Sequence, residues 1–249
     1  MTPVVWCLAF VACAAPAVPS SVEWEIASSP RPAAVLRGVN GEALCSVPLG
    51  SQGFENKEQT VERWRDARVG GAYCALIEST LDRKRPPQKQ LVSRSIEFRD
   101  GKGRALFKVP APALSGGLTV SFASGAPAFA LHNVPDGADA ETKGYVGMYD
   151  EAGRRIYFAE GEPVHAAYFS ASSRYMLIER QSGIEIVDLV EKKRGRVAEP
   201  AGAYLEAVPE GSPPVTDDGK AVFRPFPPPG SRADSGETRA VGPAGWTAF

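Results

Sequence analysis

His132 and His165 are the only histidines in 249 residues, so imidazole chemistry has two places to sit. His165 lies among apolar neighbours in Val164–Phe169, where a packed neutral ring is expected rather than a general base. His132 follows the apolar run Ala128–Leu131 and is expected at an exposed strand end. Ser115 could be paired with it as a nucleophile, but nothing in the local sequence requires that pair. Glu160 with Glu162, or Asp217 with Asp218, could be cast as the two carboxyls of a glycosidase. Such enzymes need a separation set in space, which sequence neighbours do not supply. Asp217-Asp218-Gly219 is more simply a turn. Phosphate loops, dinucleotide fingerprints, nucleophile elbows, His-Glu-x-x-His helices and calcium loops are all missing. No catalytic residue, cofactor-binding residue, cofactor or metal ligand is therefore assigned.

Of four cysteines, two fall in the apolar start of the chain, leaving Cys45 and Cys74. Two thiols in an exported chain most simply form one disulfide, closing a loop of about thirty residues worth roughly 3 kcal/mol in the chain-entropy model. Zinc would want four ligands at local spacing. Export itself is expected from residues 1–20: the first charge after Met1 is Glu23, and Pro3–Pro19 is apolar, short and proline-broken. That segment is too short to span a membrane and suits a signal peptide, with Ala15-Pro16-Ala17 as the cleavage site. The alternative is a lipoprotein, with a lipid anchor on Cys13 after Phe10-Val11-Ala12. The expected location is thus periplasmic or extracellular, without a membrane span.

Charge excludes one class of partner. With 28 Lys and Arg against 29 Asp and Glu, the net charge of −1 offers no field for nucleic acid. The two dense basic clusters, Arg83–Arg85 and Lys192–Arg196, are read as solvated turns.

The elements that must position these groups are short strands. Val22–Ile26 alternates, and Ala33–Val39 and Ala43–Val47 flank the Asn40-Gly41 turn. Glu55–Arg68 suits a short helix or a charged strand, and Ala72–Glu78 is a buried strand carrying Cys74. Ser95–Arg99 and Arg104–Val109 form a hairpin around Asp100–Gly103; Tyr145–Tyr149 and Arg154–Ala159 form another around Asp150–Gly153. Leu118–Phe122 and Ala128–Leu131 lie between these two hairpins. Val164–Phe169, Tyr175–Ile178 and Ile184–Leu189 are three more strands with two turns. The expected division is an N-terminal β-rich part (21–80), a linker (81–90), a second β domain (91–225) and a Pro/Gly-rich flexible tail (226–249).

One pattern repeats. Leu118–Leu131 can be laid over His165–Ile178, with Phe122 on Phe169 at an offset of 169 − 122 = 47 residues. Pro214–Phe223 is a third echo. Repeats of this length suit four-stranded blades. Phe169-Ser-Ala-Ser-Ser-Arg-Tyr-Met-Leu-Ile178, followed by Gly183-Ile-Glu-Ile-Val-Asp-Leu189, resembles a WD40-like or periplasmic-type β-propeller blade. In those families a Phe-Ser turn leads into one strand and a Gly-x-Ile-x-Val-Asp-Leu strand comes next. Here Ser172-Ser173 stands where those families have Asp-Gly, and no Trp precedes Asp188-Leu189. The resemblance implies an all-β, antiparallel fold of partial or small propeller-like sheets; a β-sandwich of the same strand count is the alternative. The function expected is a non-catalytic binding or scaffold protein of the cell envelope or extracellular space. Val134–Lys143 and Glu191–Arg196 would be its loops for a protein partner. The rival is a carboxylate-based hydrolase with its site in a propeller channel.

Overall fold

Two hairpins show how local chemistry sets the strand ends. At Asp100–Arg104 and again at Asp150–Arg154, the aspartate N–H donates to the arginine carbonyl, and its Oδ1 accepts the arginine N–H. The arginine Nε returns to Oδ2 in both. Gly103 and Gly153 take φ of 77° and 75°, the left-handed conformation that glycine adopts without strain.

The computed structural model describes residues 22–28, 30–112, 117–123, 128–134, 144–150, 152–205, 213–226 and 238–249. The expected leader 1–20 with Cys13, Ser115, and most of the Val134–Lys143 loop lie outside the described residues. Among the described residues there is no α-helix, only a 3-10 turn at Pro87–Lys89. The all-β expectation holds, and the described residues fold into five antiparallel sheets, none closed into a barrel.

Sheet I holds β1 (Glu23–Ala27), β2 (Ala33–Arg37) and β3 (Ala43–Pro48). Sheet II runs in order through β4 (Gly50–Phe54), β5 (Val61–Gly70), β6 (Tyr73–Asp82), β7 (Leu91–Arg99) and β8 (Ala105–Ala111). Sheet III holds β9 (Gly117–Phe122), β10 (Ala128–Val134), β11 (Gly144–Asp150) and β12 (Arg155–Gly161). Sheet IV holds β13 (Val164–Phe169), β14 (Tyr175–Arg180), β15 (Gly183–Asp188) and β16 (Lys193–Val197). Sheet V holds β17 (Ala203–Leu205), β18 (Ala221–Pro225) and β19 (Arg239–Val241). The last strand, β20 (Thr247–Ala248), returns to the free edge of β16.

Because alternate residues of a strand face opposite ways, each inner sheet feeds two cores. In β6, Cys74 and Leu76 pack toward sheet I, while Ala75 and Ile77 pack toward sheet III. In sheet III, Phe129 and Leu131 face sheet II, whereas Ala130, Val146 and Met148 face sheet IV. In sheet IV, Met176 and Ile178 face sheet III and Leu177 and Ile186 face sheet V. Four apolar layers thus join five sheets in chain order. A two-sheet sandwich has one such layer; this serial packing of several small antiparallel sheets is compatible with a propeller-like fold. The 47-residue offset is real at strand level: β9 and β13 start at 117 and 164, and β10 and β14 at 128 and 175. Ser121 Oγ donates to the Ala167 carbonyl at 2.8 Å, tying the two copies together.

Of the two readings open for Glu55–Arg68, the strand is the one found: it becomes mostly β5, because its partners β4 and β6 satisfy its backbone on both sides. Two boundaries differ from expectation. The expected 81–90 linker is a turn inside sheet II, where Asp82 N–H donates to the Gln90 carbonyl at 2.7 Å. The stretch expected as a flexible tail contributes β19 and β20, whose few residues are held by pairing with β18 and β16.

Candidate functional site: a charged cleft between two sheets

Apolar side chains fill the middle of the layer between sheets III and IV, and charged ones line its end. A cleft of about 520 Å³ opens there, walled by the end of β12 on one side and by β14, β15 and β16 on the other. That volume falls within the range of small-molecule sites. The β-ladder explains which groups enter it. Glu185 lies opposite Arg196, and Val187 opposite Arg194. Val187 packs toward sheet III, so Glu185, Arg194 and Arg196 share that face. Arg180 stands opposite Gly183, two residues before Glu185, on the same face. Just past β12, Glu162 comes from the sheet III side, whereas Glu160 lies opposite Tyr145 in the ladder and shares its face toward sheet II.

The deepest pair is Arg180 and Glu185, with side chains 11% and 15% exposed and 3.7 Å between Nε and Oε2. Arg194 Nη1 comes within 3.6 Å of Glu185 Oε1, and the Tyr157 hydroxyl donates to the same oxygen at 3.5 Å. All three contacts are long, so Glu185 is surrounded rather than gripped. Arg180 Nη1 also donates to the Glu162 carbonyl at 3.1 Å, bridging sheets III and IV. The Ser182 hydroxyl is the main cause holding the Glu162 carboxyl below its ordinary range, with Arg196 and Arg180 adding to it. Arg196 is exposed and has no ion-pair partner among the described residues.

The last residues of the chain form the outer wall. Lys193 pairs with Ala248 and Arg194 with Thr247, while Ala244 N–H donates to the Arg196 carbonyl. The Phe249 ring meets Tyr157 edge-on at 4.8 Å, so this strap touches sheet III as well. Gly195 makes the approach possible, because a Cβ there would run into the Gly245 carbonyl oxygen and Pro243.

The two histidines exchange the places expected for them. His132 is 2% exposed, because β10 continues past it to Val134 and the ring becomes strand interior. Burial pushes its pKa down to about 4, and its Nδ1 has no hydrogen-bond partner among the described residues. His165 is exposed, because the ladder of β13 slips between Val164 and Ala166 and turns the side chain out. Cys45 and Cys74 are both free thiols of one apolar cluster between sheets I and II. Burial pushes the Cys74 thiol up to about 12.

A glycosidase acid needs a raised pKa, and none of Glu162, Asp217 and Asp218 has one: hydrogen bonds hold all three carboxyls below their ordinary range. Asp217 instead takes the Ser172 N–H at 2.7 Å, linking a turn of sheet IV to one of sheet V. Among the described residues, no three His, Cys, Asp or Glu side chains meet as a ligand set. The basic cluster Lys192–Arg196, expected as a solvated turn, is largely strand β16 and supplies Arg194 and Arg196 to the cleft. The readable signal was Arg-Gly-Arg at spacing two, which puts both guanidinium groups on one face of a strand.

No family model matches the chain, and no curated protein matches it. Solved structures do. One is titled as a crystal structure of the eukaryotic initiation factor: 10% identity, TM-score 0.37, covering 91% of this chain and 74% of that one. A second is KlHsv2 with loop 6CD replaced by a Gly-Ser linker: 7% identity, TM-score 0.31, covering 74% of this chain and 67% of that one. A third is the dihydro-heme d1 dehydrogenase NirN in complex with DHE: 12% identity, TM-score 0.31, covering 82% of this chain and 48% of that one. Scores of this size bear on neither ligand nor activity.

Proposed function

We propose that this protein is a non-catalytic binding module whose small ligand seats in the cleft between sheets III and IV. The observation that carries this reading is the cleft's charged lining. Side chains of both signs enter it from paired strands, which hold binding groups more firmly than loops do. The blade resemblance of Phe169–Leu189 belongs to the same proposal, since sheet IV is both that blade and the cleft's main wall. So does export: residues 1–20 act as a leader, and an oxidising compartment joins Cys45 to Cys74 across sheets I and II.

Equilibrium dialysis of the purified protein against a library of small charged metabolites, with mass spectrometry of what is retained, tests the site. Ser182→Trp places bulk at the cleft mouth on an exposed turn. Compounds retained by the parent protein and lost by this variant, at unchanged Tm, are the expected result. Equal retention by both proteins, or none by either, would overturn the assignment.

A further inference from the structure

We propose that one end of sheet II carries a second site, a stacking platform for a neutral oligosaccharide built by Phe54 and Trp64. It is separate from the cleft and does not rest on the reading above. The exposed aromatic side chains of the described residues are Phe54, Trp64, Phe158, Phe226, Trp246 and Phe249. The last four each rest on a partner: Arg155 over Phe158, Tyr204 beside Phe226, Tyr175 near Trp246 and Tyr157 against Phe249. Phe54 and Trp64 have no ring or cation against them among the described residues, and the Trp64 indole N–H donates to nothing there.

The ladder sets these two side by side. Trp64 lies opposite Ser51 and Glu62 opposite Phe54, and Glu62 and Trp64 are two apart on β5, so both rings share one face of sheet II. The bulge between Ser51 and Gly53 is what turns Phe54 to that face. The rings are diagonal neighbours, with Cα atoms about 7 Å apart. Trp64 is also opposite Ser79 of β6, two residues beyond Ile77, which places the pair just past the border of the layer with sheet III.

The groups between the rings set the chemistry of the ligand. Glu62 is buried there, and Arg83 holds it: Nε donates to Oε2 at 2.8 Å and Nη2 donates to the same oxygen. The Ser51 hydroxyl donates to this carboxylate as well. The charge is neutralised inside the patch, so an ion gains nothing from it, while a hydroxyl does. Arg83 is exposed and meets Gln90 Oε1 through Nη1 at 3.1 Å. Three of the five N–H groups of its guanidinium are thus used, and the remaining two are free to donate. The face of an aromatic ring is negative, and the C–H bonds on the flat side of a pyranose are weakly positive, so the two stack. A pyranose with equatorial hydroxyls has such a side, and a chain of such sugars joined equatorially presents it as a ribbon. Two rings side by side suit adjoining sugars of that ribbon, with the Trp64 and Arg83 N–H groups meeting its hydroxyl oxygens. Both rings stand on paired strands, which fix a site better than loops do.

Isothermal titration with cellohexaose and chitohexaose reads the platform. One or both should bind, with an affinity that added salt leaves unchanged, because no ion pair forms. Trp64→Ala should weaken binding about tenfold, and Phe54→Ala by somewhat less. Trp64→Phe, which keeps a ring, should recover part of the loss. Both side chains are exposed, and an unchanged Tm will show that the variants fold. Phe158→Ala, at an exposed ring of sheet III, and Ser182→Trp, in the cleft, should bind as the parent protein does. Binding of neither oligosaccharide would overturn the platform, as would binding that survives both Trp64→Ala and Phe54→Ala. Binding lost in Ser182→Trp but kept in Trp64→Ala would also overturn it, and would place the sugar in the cleft. The cleft itself stands or falls by the dialysis.

Discussion

The layer between sheets II and III and the layer between sheets III and IV are built by the same alternation, yet one is full and the other opens at its end. In the first, Phe129 sits among the rings of Tyr73, Phe98, Phe107 and Phe122, with centroids 4.3 to 5.8 Å away. Rings meeting tilted or edge-on fill the gap between sheets out to its borders. In the second, Ala123, Ala130, Val146, Val164, Ala167 and Val187 are small, and the larger side chains are Met148, Met176, Ile178 and only two rings, Tyr157 and Phe169. Small side chains cannot reach the end of the layer, and long charged ones occupy it instead. What a layer becomes is decided by side-chain volume at a few strand positions, not by the sheet pattern, which both layers share.

The strongest way to break this comparison is Phe129→Ala. Removing a fully buried ring that touches four others should cost about 3–5 kcal/mol in urea unfolding. A loss below about 1 kcal/mol would show that the aromatic layer is not what holds sheets II and III. On the open side, Gly195→Ala forces the strap off β16 and should cost about 1–3 kcal/mol. Trp246 fluorescence should shift to the red as its contact with Tyr175, at 6.4 Å, is lost. An unchanged spectrum and Tm would mean that the strap does not depend on that glycine.

A subtler contrast comes from His132, on the sheet IV face of sheet III. Its pKa falls from 6.5 to about 4 on burial, so between those values the unfolded chain binds a proton that the folded chain refuses. The stability from this group is complete above about pH 6.5 and declines as pH falls toward 4. His132→Phe should flatten the decline, measured as the difference between the two unfolding curves at each pH; parallel curves would remove the histidine as its cause. The smallest effect extends the comparison to the layer between sheets I and II. In the reduced protein, half-buried Cys45 should react with a thiol reagent before fully buried Cys74, whose raised pKa leaves little thiolate at neutral pH. Simultaneous labelling of both would show that this layer opens as freely as a surface.

Much of the fold was legible because strands announce themselves twice, by alternation and by turn chemistry. The Asp-x-x-Gly-Arg corners at Asp100 and Asp150, and the 47-residue echo of Phe122 in Phe169, all survive in the structure. The cleft was not legible. Glu162 and Arg196 are 34 residues apart in sequence (196 − 162 = 34) and come near each other only because sheets III and IV stack. The histidines were misplaced for a finer reason: a one-residue slip in a ladder reverses a side chain, and no composition reveals the slip beside His165. Proline-rich surroundings concealed β19 and β20, since two or three paired residues are too few to leave a periodic trace.

Residues 198–246 leave sheet IV after β16 and come back to the same strand as β20, with sheet V built on the way. Sheet V is therefore an excursion clasped at its root, in the manner of a hinged drawer. Its layer against Leu177 and Ile186 is thereby closed by a segment whose two ends rest on one strand, so sheet V and the contact of Phe249 with Tyr157 share a single anchorage.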